Sequence, residues 1–363
     1  TATVAWGVLP FAWLTLLPRP NFNRGLGNLQ RGATKLYKPF IFGLSFLYIG
    51  LYLLESKILS GGFLPILVDG DSAHEAHVLS LPVFGIITRA GSMICALLLI
   101  GLRFKRSRFD FLLLILVLLL PLSRGSRLDI VFSILVLIIL ASVLFSQKFS
   151  MRNKIYTGFS VASLVVILGF VGTFRTQAIY SDYSYADNLG FDSASFVANT
   201  LAPFYGNFVL PFINLDRFVS ANSGQFTNGE FTLLPISASI INLPELFELN
   251  DFSSLVAYED PVSPNGVSTA LSYFYKDFGS YWAIFPLSFY MIGWIILFSK
   301  RFQSAAMLVI YGIYSSSFCL SAFMAFMLNP SMYRRFIIVL IIFWVLKFFR
   351  NKVRLRKVQM IIS

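Results

Sequence analysis

Apolar residues run through this chain in long blocks, and short polar or basic stretches separate the blocks. Many blocks contain about 20 residues, the length that a helix needs to cross about 30 Å of hydrocarbon. The pattern therefore predicts a bundle of membrane-spanning helices. The nine predicted spans are 1–17, 39–54, 83–102, 110–122, 128–146, 155–174, 280–299, 304–326 and 335–349.

The composition agrees with this pattern. Only 13% of the 363 residues are charged and 56% are hydrophobic, which leaves too few charges to cover a water-soluble surface. We predict an all-α polytopic membrane protein in which residues 1–363 form a single transmembrane domain. Cys95 and Cys319 both fall inside apolar runs, so we interpret them as small buried residues and not as a disulfide.

The basic residues predict the orientation of the spans. Twenty of the 29 lysine and arginine residues fall in five clusters. Threading the spans places all five on one face, which the positive-inside rule makes cytoplasmic. The net charge of +12 is thus a topology signal, and no nucleic-acid partner is expected. The first residue then lies outside, so we expect a missing upstream span. The clusters are Arg19 to Lys38, Arg103 to Arg108, Lys148 to Lys154, Lys300 to Arg301 and Lys347 to Lys357.

The acidic residues mark the opposite side. Eleven of the 17 aspartates and glutamates lie in the segment 176–277, which we predict to be long and external. Its stretch 196–215 is long enough to span, but Pro203 and Pro211 interrupt it. We predict a re-entrant or interfacial element there.

Nine cations fall on the predicted external side or in its half of the membrane, against the charge rule. Several of them are arginines at span ends that are distant in sequence, so we expect them to converge at the outer interface. Such arginines can anchor helices by reaching the headgroups, or they can bind phosphate oxygens with a planar fork. The nine are Lys57, Arg89, Arg124, Arg127, Arg175, Arg217, Lys276, Arg334 and Arg335.

The stretch "SRGSR" (123–127) carries two of these arginines between two spans. Arg124 and Arg127 stand three residues apart, so they could share one helical face and grip one diphosphate. Gly125 between them permits close approach of a ligand or a backbone. We interpret Asp129 as a partner that orients Arg124 or Arg127.

Three stretches together resemble a known family: "SRGSR", "GTFR" (172–175) and "SPNGVSTALSYFYKDFGSYW" (263–282). They are similar to motifs of the O-antigen or repeat-unit polymerases (Wzy) of bacteria. The resemblance implies a GT-C-like helical bundle in the inner membrane with its active site facing the periplasm. It implies glycosyl transfer between oligosaccharides carried on undecaprenyl pyrophosphate, without metal or cofactor, among membrane lipids. A chain-length regulator is a candidate partner.

Within this interpretation Asp277 is the candidate general base, together with Arg124 and Arg127 as catalytic residues. A cap, or a partner to a nearby arginine, is the structural alternative for Asp277. Aromatic side chains of the external segment, such as Tyr180 and Phe204, could stack on sugars or could form an interface belt. The expected substrate-binding residues are Arg175, Arg89, Arg334, Arg335, Tyr273, Tyr275, Thr269 and Asn265.

Other chemistries have weaker sequence support. His74 and His77 in "HEAH" stand three residues apart, but no third metal ligand is clearly spaced from them. Walker A, GxGxxG and GxSxG motifs are absent from the sequence. Two functions stay as alternatives to the polymerase: an O-antigen ligase, and a lipid-linked oligosaccharide flippase or other transporter. A transporter is expected to show repeated halves with charges near mid-membrane.

Overall fold

The computed structural model describes residues 37–68, 87–104, 107–145, 215, 270–282, 284–321, 332–333 and 335–345. Within these residues all regular secondary structure is helical, as the sequence predicts. The predicted spans 1–17 and 155–174 lie outside the described residues. So do 176–269 apart from Leu215, and with them almost the whole 196–215 stretch.

Eight α-helices form the described part of the fold. Seven of them coincide with predicted spans, and the remaining helix, α5, precedes the span predicted at 280–299. The helices are α1 (Tyr37–Ser60), α2 (Gly91–Phe104), α3 (Arg108–Leu119), α4 (Arg127–Leu144), α5 (Ala270–Trp282), α6 (Ile284–Lys300), α7 (Ala305–Leu320) and α8 (Arg335–Val345).

Length distinguishes α1 from its neighbours. Among the described helices, α1 from Lys38 to Ser60 is long and apolar enough to cross a membrane by itself. The helices α2, α4, α6, α7 and α8 are apolar over 10–17 residues.

The span predicted at 83–102 is not one continuous helix. A turn at Arg89 and Ala90 interrupts it, and α2 begins at Gly91. Arg89 therefore lies in the turn before α2 and not inside a continuous helix, as a span over 83–102 predicts. Thr88, Gly91 and Ser92 flank the turn, but the longer apolar runs beyond them on both sides give the whole stretch the mean hydropathy of a single span.

The centre of the bundle is α2, which packs against α1, α3, α4 and α7. All its residues from Gly91 to Leu98 are buried. A methyl group on Gly91 would lie 2.6 Å from the Tyr48 hydroxyl, so glycine permits α1 to approach closely. A methyl group on Gly312 would lie 2.9 Å from the Leu140 side chain, which places α7 in equally close contact with α4.

Contacts at the helix ends fix the directions of the first four described helices. α1 and α3 run parallel: Lys38 pairs with Asp110 at 3.3 Å where both helices begin. At the far end of α1, Glu55 pairs with Arg124, which follows α3. The two pairs are separated by 17 residues of α1, or roughly 25 Å.

The ends of α2 and α4 lie together, because the Arg103 Nε donates to the Leu144 carbonyl oxygen at 3.1 Å. We call the level of Lys38, Arg103 and Arg108 the basic end of the bundle. Arg124, with Arg335 at the start of α8, lies at the opposite end. This separation agrees with the charge-based threading of these helices.

Large apolar side chains cover the outward faces of the described helices. Phe289 on α6 is 75% exposed and Trp344 on α8 is 68% exposed. Contiguous apolar surface of this kind is uncommon on soluble monomers. Further exposed examples are Phe46 and Leu47 on α1, Leu112 and Leu116 on α3, and Phe285, Ile292 and Ile296 on α6.

Candidate functional site

A tight turn between α3 and α4 presents the first candidate residues. A 3₁₀ helix spans Leu120–Arg124 with Pro121 near its start, where the missing N–H costs no hydrogen bond. Gly125 then adopts a left-handed conformation (φ 63°, ψ 18°) and ends the turn. Arg127 begins α4. Arg124 and Arg127 therefore do not lie on one continuous helical face, because Gly125 separates two helices.

Arg124 points into the bundle and contacts α1. Its Nη1 donates to the Glu55 carboxylate at 2.9 Å, and its Nε donates to the Ser56 hydroxyl at 2.8 Å. Its Nη2 donates to the Tyr52 carbonyl oxygen at 2.7 Å. The guanidinium also lies 3.9 Å from the centre of the Tyr52 ring. Three nitrogens and one face of this group are thus engaged by a single helix.

The Arg124–Glu55 pair is almost completely buried, with 7% and 0% of the two side chains exposed. Removing one partner of such a pair leaves an uncompensated charge in an apolar interior. A ligand phosphate could bind the Arg124 guanidinium only if the hydrogen bond to Glu55, Ser56 or Tyr52 broke. The geometry therefore makes Arg124 a residue that fixes the turn against α1.

A second ion pair forms at the start of α4. The Arg335 Nη2 donates to one oxygen of Asp129 at 2.5 Å, and the Ser126 hydroxyl donates to the other oxygen at 2.7 Å. The guanidinium lies 4.4 Å from the centre of the Phe132 ring. The sequence led us to expect Asp129 to orient Arg124 or Arg127. Arg124 pairs with Glu55 and is therefore not oriented by Asp129, whereas the Arg127 side chain lies outside the described residues. Asp129 pairs with Arg335, because α8 lies against the start of α4.

The two ion pairs belong to one group of charges. Arg335 lies within electrostatic reach of Arg89 and of Tyr48, and Tyr48 is in turn close to Arg124 and Asp129. The rings of Tyr48 and Tyr52 are 5.7 Å apart, and both tyrosines lie within electrostatic reach of Arg124 and Asp129. The structure thus brings three of the expected arginines together from distant segments. We call this group the arginine cluster: Arg89, Arg124, Arg335, Glu55 and Asp129, with Tyr48 and Tyr52.

The two carboxylates of the cluster differ in exposure. The Asp129 side chain is 39% exposed, whereas that of Arg335 is 5% exposed. Asp129 therefore forms the accessible edge of its pair, and Glu55 forms the inaccessible edge of the other. A ligand that approaches from outside reaches the Asp129 carboxylate first, so an anion has to displace this carboxylate to reach the buried Arg335 guanidinium.

Asp277 lies on α5 and is 1% exposed. Tyr273, one turn earlier on the same face, is also buried, whereas Tyr275 is half-exposed. Two residues after Asp277 the helix breaks at Gly279, whose φ of 72° favours glycine. The sequence predicts Asp277 at the mouth of a span beside Tyr273 and Tyr275, and its role as a general base stays a prediction.

Aromatic contacts join α5 to the region of the arginine cluster. Phe274 stacks on Tyr290 of α6 with ring centres 5.9 Å apart. The hydroxyl of Tyr290 is hydrogen-bonded to that of Tyr333 at 2.8 Å. Tyr333 precedes Arg335 by two residues, so α5 packs on the side of the bundle that carries Arg335.

Several predicted residues lie outside the described part of the chain: Arg175, Arg334, Thr269, Asn265, His74 and His77. Within the described part, no group of three or more histidine, cysteine, aspartate or glutamate side chains is placed to hold a metal ion.

Sequence reasoning missed Glu55, Ser56 and Tyr52. A signal for Glu55 was present, since a carboxylate that ends an apolar run in "LYLLESK" is costly in hydrocarbon and calls for a partner.

The Arg124 and Arg335 guanidinium groups are buried and paired with carboxylates, so the cluster could bind an anion only where that anion displaces Asp129 from Arg335. No protein-family model, no curated protein and no solved structure matches the chain, so its function has to be inferred from these residues.

Proposed function

We propose that this protein is a multi-span inner-membrane glycosyltransferase that polymerises oligosaccharide repeat units carried on undecaprenyl pyrophosphate. The observation that carries the proposal is the arginine cluster, in which Arg89, Arg124 and Arg335 meet at one end of an apolar helical bundle. The resemblance of "SRGSR" and "SPNGVSTALSYFYKDFGSYW" to the repeat-unit polymerases selects this reaction among those that use a phosphate-bearing lipid.

The membrane placement is supported by two features of the bundle. The outward faces of α1, α3 and α6 are apolar, which suits contact with hydrocarbon. The basic end carries Lys38, Arg103 and Arg108, and the positive-inside rule assigns such an end to the cytoplasm. The arginine cluster then faces the periplasm, where lipid-linked repeat units are polymerised in the proposed pathway.

The chemistry needs little more than charge stabilisation. A glycosyl pyrophosphate is already activated, and the bond from its anomeric carbon to the phosphate oxygen breaks as the acceptor hydroxyl attacks. Negative charge develops on the departing diphosphate, and preorganised guanidinium groups stabilise it. Arginine keeps its proton under all relevant conditions, so it serves as a permanent counter-charge.

The arginines divide into two roles. Arg335 and Arg89 contact the diphosphate. Further contacts come from three other cations of the predicted external side, Arg127, Arg175 and Arg334. Arg124 acts as a positioning residue, because its donors hold Glu55, Ser56 and Tyr52. When the diphosphate arrives it replaces Asp129 on Arg335, so the guanidinium exchanges one anionic partner for another.

Asp277 accepts the proton of the acceptor hydroxyl in this proposal. The products are then the lengthened glycan, undecaprenyl pyrophosphate and a protonated Asp277 that later releases its proton to solvent. General base catalysis of this kind contributes about 10²–10⁴-fold to a rate. Tyr273, buried on the same face of α5, limits the directions from which a sugar can approach.

The test is a reaction with purified components. The full chain in nanodiscs is mixed with a synthetic undecaprenyl-pyrophosphate-linked repeat unit, and products are separated by chain length. We expect a ladder of polymers together with released undecaprenyl pyrophosphate. Transfer to a lipid A core without any ladder would assign the ligase reaction instead, and absence of both products would contradict glycosyl transfer.

One observation favours a transporter as the second candidate. The Arg124–Glu55 pair is buried among apolar helices, and such pairs often mark substrate or ion pathways in membrane proteins. Cells that lack the gene separate the two functions. Loss of a polymerase leaves single repeat units on the lipid core, whereas loss of a flippase leaves lipid-linked repeats on the cytoplasmic leaflet.

A further inference from the structure

A groove opens at the basic end of the bundle, far from the arginine cluster. Its volume is about 810 Å³, which lies within the range of about 300–1,000 Å³ typical of ligand pockets. It lies where α2 ends, α3 begins and α4 ends. The lining residues are Leu99, Leu102, Ser107, Arg108, Phe111, Leu112 and Phe145.

The walls of this groove are almost entirely apolar, and its two polar residues are neighbours in the sequence. Ser107 and Arg108 stand at the beginning of α3, and Arg108 is exposed. The first turn of a helix carries a partial positive charge, which adds to that of Arg108. Phe111 and Leu112 are 54% and 63% exposed, so the groove continues onto the outward apolar face of α3.

The other charges around the groove do not cancel Arg108. Asp110 lies in the same turn, but it is buried and paired with Lys38 at 3.3 Å. Arg103 lies beside the groove with its guanidinium 5.5 Å from the centre of the Phe145 ring. The mouth of the groove is therefore positive.

We propose that this groove binds one anionic phospholipid of the cytoplasmic leaflet. An acyl chain lies between α2 and α3 against Leu102 and Phe111, and the phosphate lies at Arg108 and Ser107. Basic pockets between helices on the cytoplasmic side of membranes are a recurrent site for acidic headgroups. The apolar walls exclude a purely ionic ligand, and the positive mouth selects an anionic headgroup over a zwitterionic one. This inference depends on the membrane placement of the bundle and not on glycosyl transfer.

The test uses the full chain purified in detergent and titrated with phosphatidylglycerol or phosphatidylcholine of identical acyl chains. Native mass spectrometry counts the bound lipids. We expect preferential binding of one phosphatidylglycerol. Arg108→Gln should weaken the affinity for phosphatidylglycerol about fivefold, because one basic residue near an anionic headgroup contributes about that factor. Leu112→Trp should also weaken binding because the larger side chain narrows the groove.

Two control variants match these changes elsewhere on the surface. Lys57→Gln removes one exposed cation at the opposite end, and Ile292→Trp enlarges an exposed apolar residue on α6. Both should bind phosphatidylglycerol like the unchanged protein. Thermal unfolding is followed for all four variants, and the exposure of Arg108 and Leu112 predicts normal folding. Equal binding of the two lipids, an unaltered affinity in Arg108→Gln or in Leu112→Trp, or equal losses in the controls would overturn the proposal.

Discussion

Arg124 and Glu55 face each other at 2.9 Å with 7% and 0% of their side chains exposed. The pair joins the turn before α4 to the last part of α1, and Tyr52 covers the guanidinium from one side. Neither charge has access to solvent that could compensate for loss of the other. The pair therefore makes the position of the turn depend on α1.

Removing one charge of this pair should destabilise the protein strongly. Glu55→Met leaves the guanidinium of Arg124 buried without its carboxylate, and we expect a loss of about 3–5 kcal/mol. The double variant Glu55→Met/Arg124→Met removes both charges and should recover most of the folded yield. Thermal unfolding in detergent measures both, with Lys57→Ala as an exposed control. A double variant as unstable as the single one would show that the charge balance is not the cause.

Arg335→Lys should reduce polymerisation sharply while leaving the protein folded. Lysine keeps the charge but loses the planar fork that contacts two phosphate oxygens at once. The expected change is a higher KM for the lipid-linked donor and a lower kcat, measured in nanodiscs. Lys300→Arg, an exposed change at the basic end, is the matched control. Normal kinetics in Arg335→Lys at equal folded yield would exclude a bidentate phosphate contact at this position.

Gly312→Ala should weaken the packing of α7 on α4. The added methyl group would meet the Leu140 side chain at 2.9 Å. Overpacking of a close contact costs about 1–3 kcal/mol, which lowers the unfolding temperature. Gly101→Ala on α2 is the control, since nothing lies within 4 Å of its added methyl group. Equal unfolding temperatures in the two variants would argue against the close approach of the helices.

The positions of the helices follow well from the sequence, because each described span is a long apolar run. Two features do not follow. The turn at Arg89 and Ala90 is a short polar stretch between two apolar runs, and hydropathy averaged over a whole span does not mark it. The helix α5 is amphipathic and is kinked at Gly279, and most of it precedes the span predicted at 280–299.

The charge rule predicts that the arginines of the cluster converge, but it does not predict the residues with which they pair. The charge rule identifies Arg89, Arg124 and Arg335 because each stands on the side where cations are rare. It does not identify their partners, since partner choice depends on which helices become neighbours. Arg335 and Asp129 are 206 residues apart in the chain, and no local pattern links them.

Labelling from outside should reveal the orientation of the bundle. In a Cys319→Ser background, Lys57→Cys should react with an impermeant maleimide in intact spheroplasts, because it lies at the arginine-cluster end. Gln303→Cys, exposed in the turn between α6 and α7, should react only after permeabilisation. Cys95 is buried, as predicted, and should stay silent in both. The prediction that Cys319 is buried was wrong, because this residue is exposed on α7, and it is therefore replaced in the background. The reverse pattern would invert the proposed topology and remove the cluster from the periplasmic face.

Asp277→Asn should lower turnover by about 10²–10⁴-fold, the usual contribution of a general base. Asparagine keeps the shape of the side chain on α5 but cannot accept the proton of the acceptor hydroxyl. Binding of the lipid-linked donor should persist, because the arginines carry it.

If Asp277 instead has a structural role, the variant should yield less folded protein while each folded molecule works normally. Single-turnover assays with folded yield and unfolding temperature measured alongside separate the two results. Near-normal turnover per folded molecule would remove Asp277 from the mechanism and leave stabilisation of the departing diphosphate as the main source of catalysis.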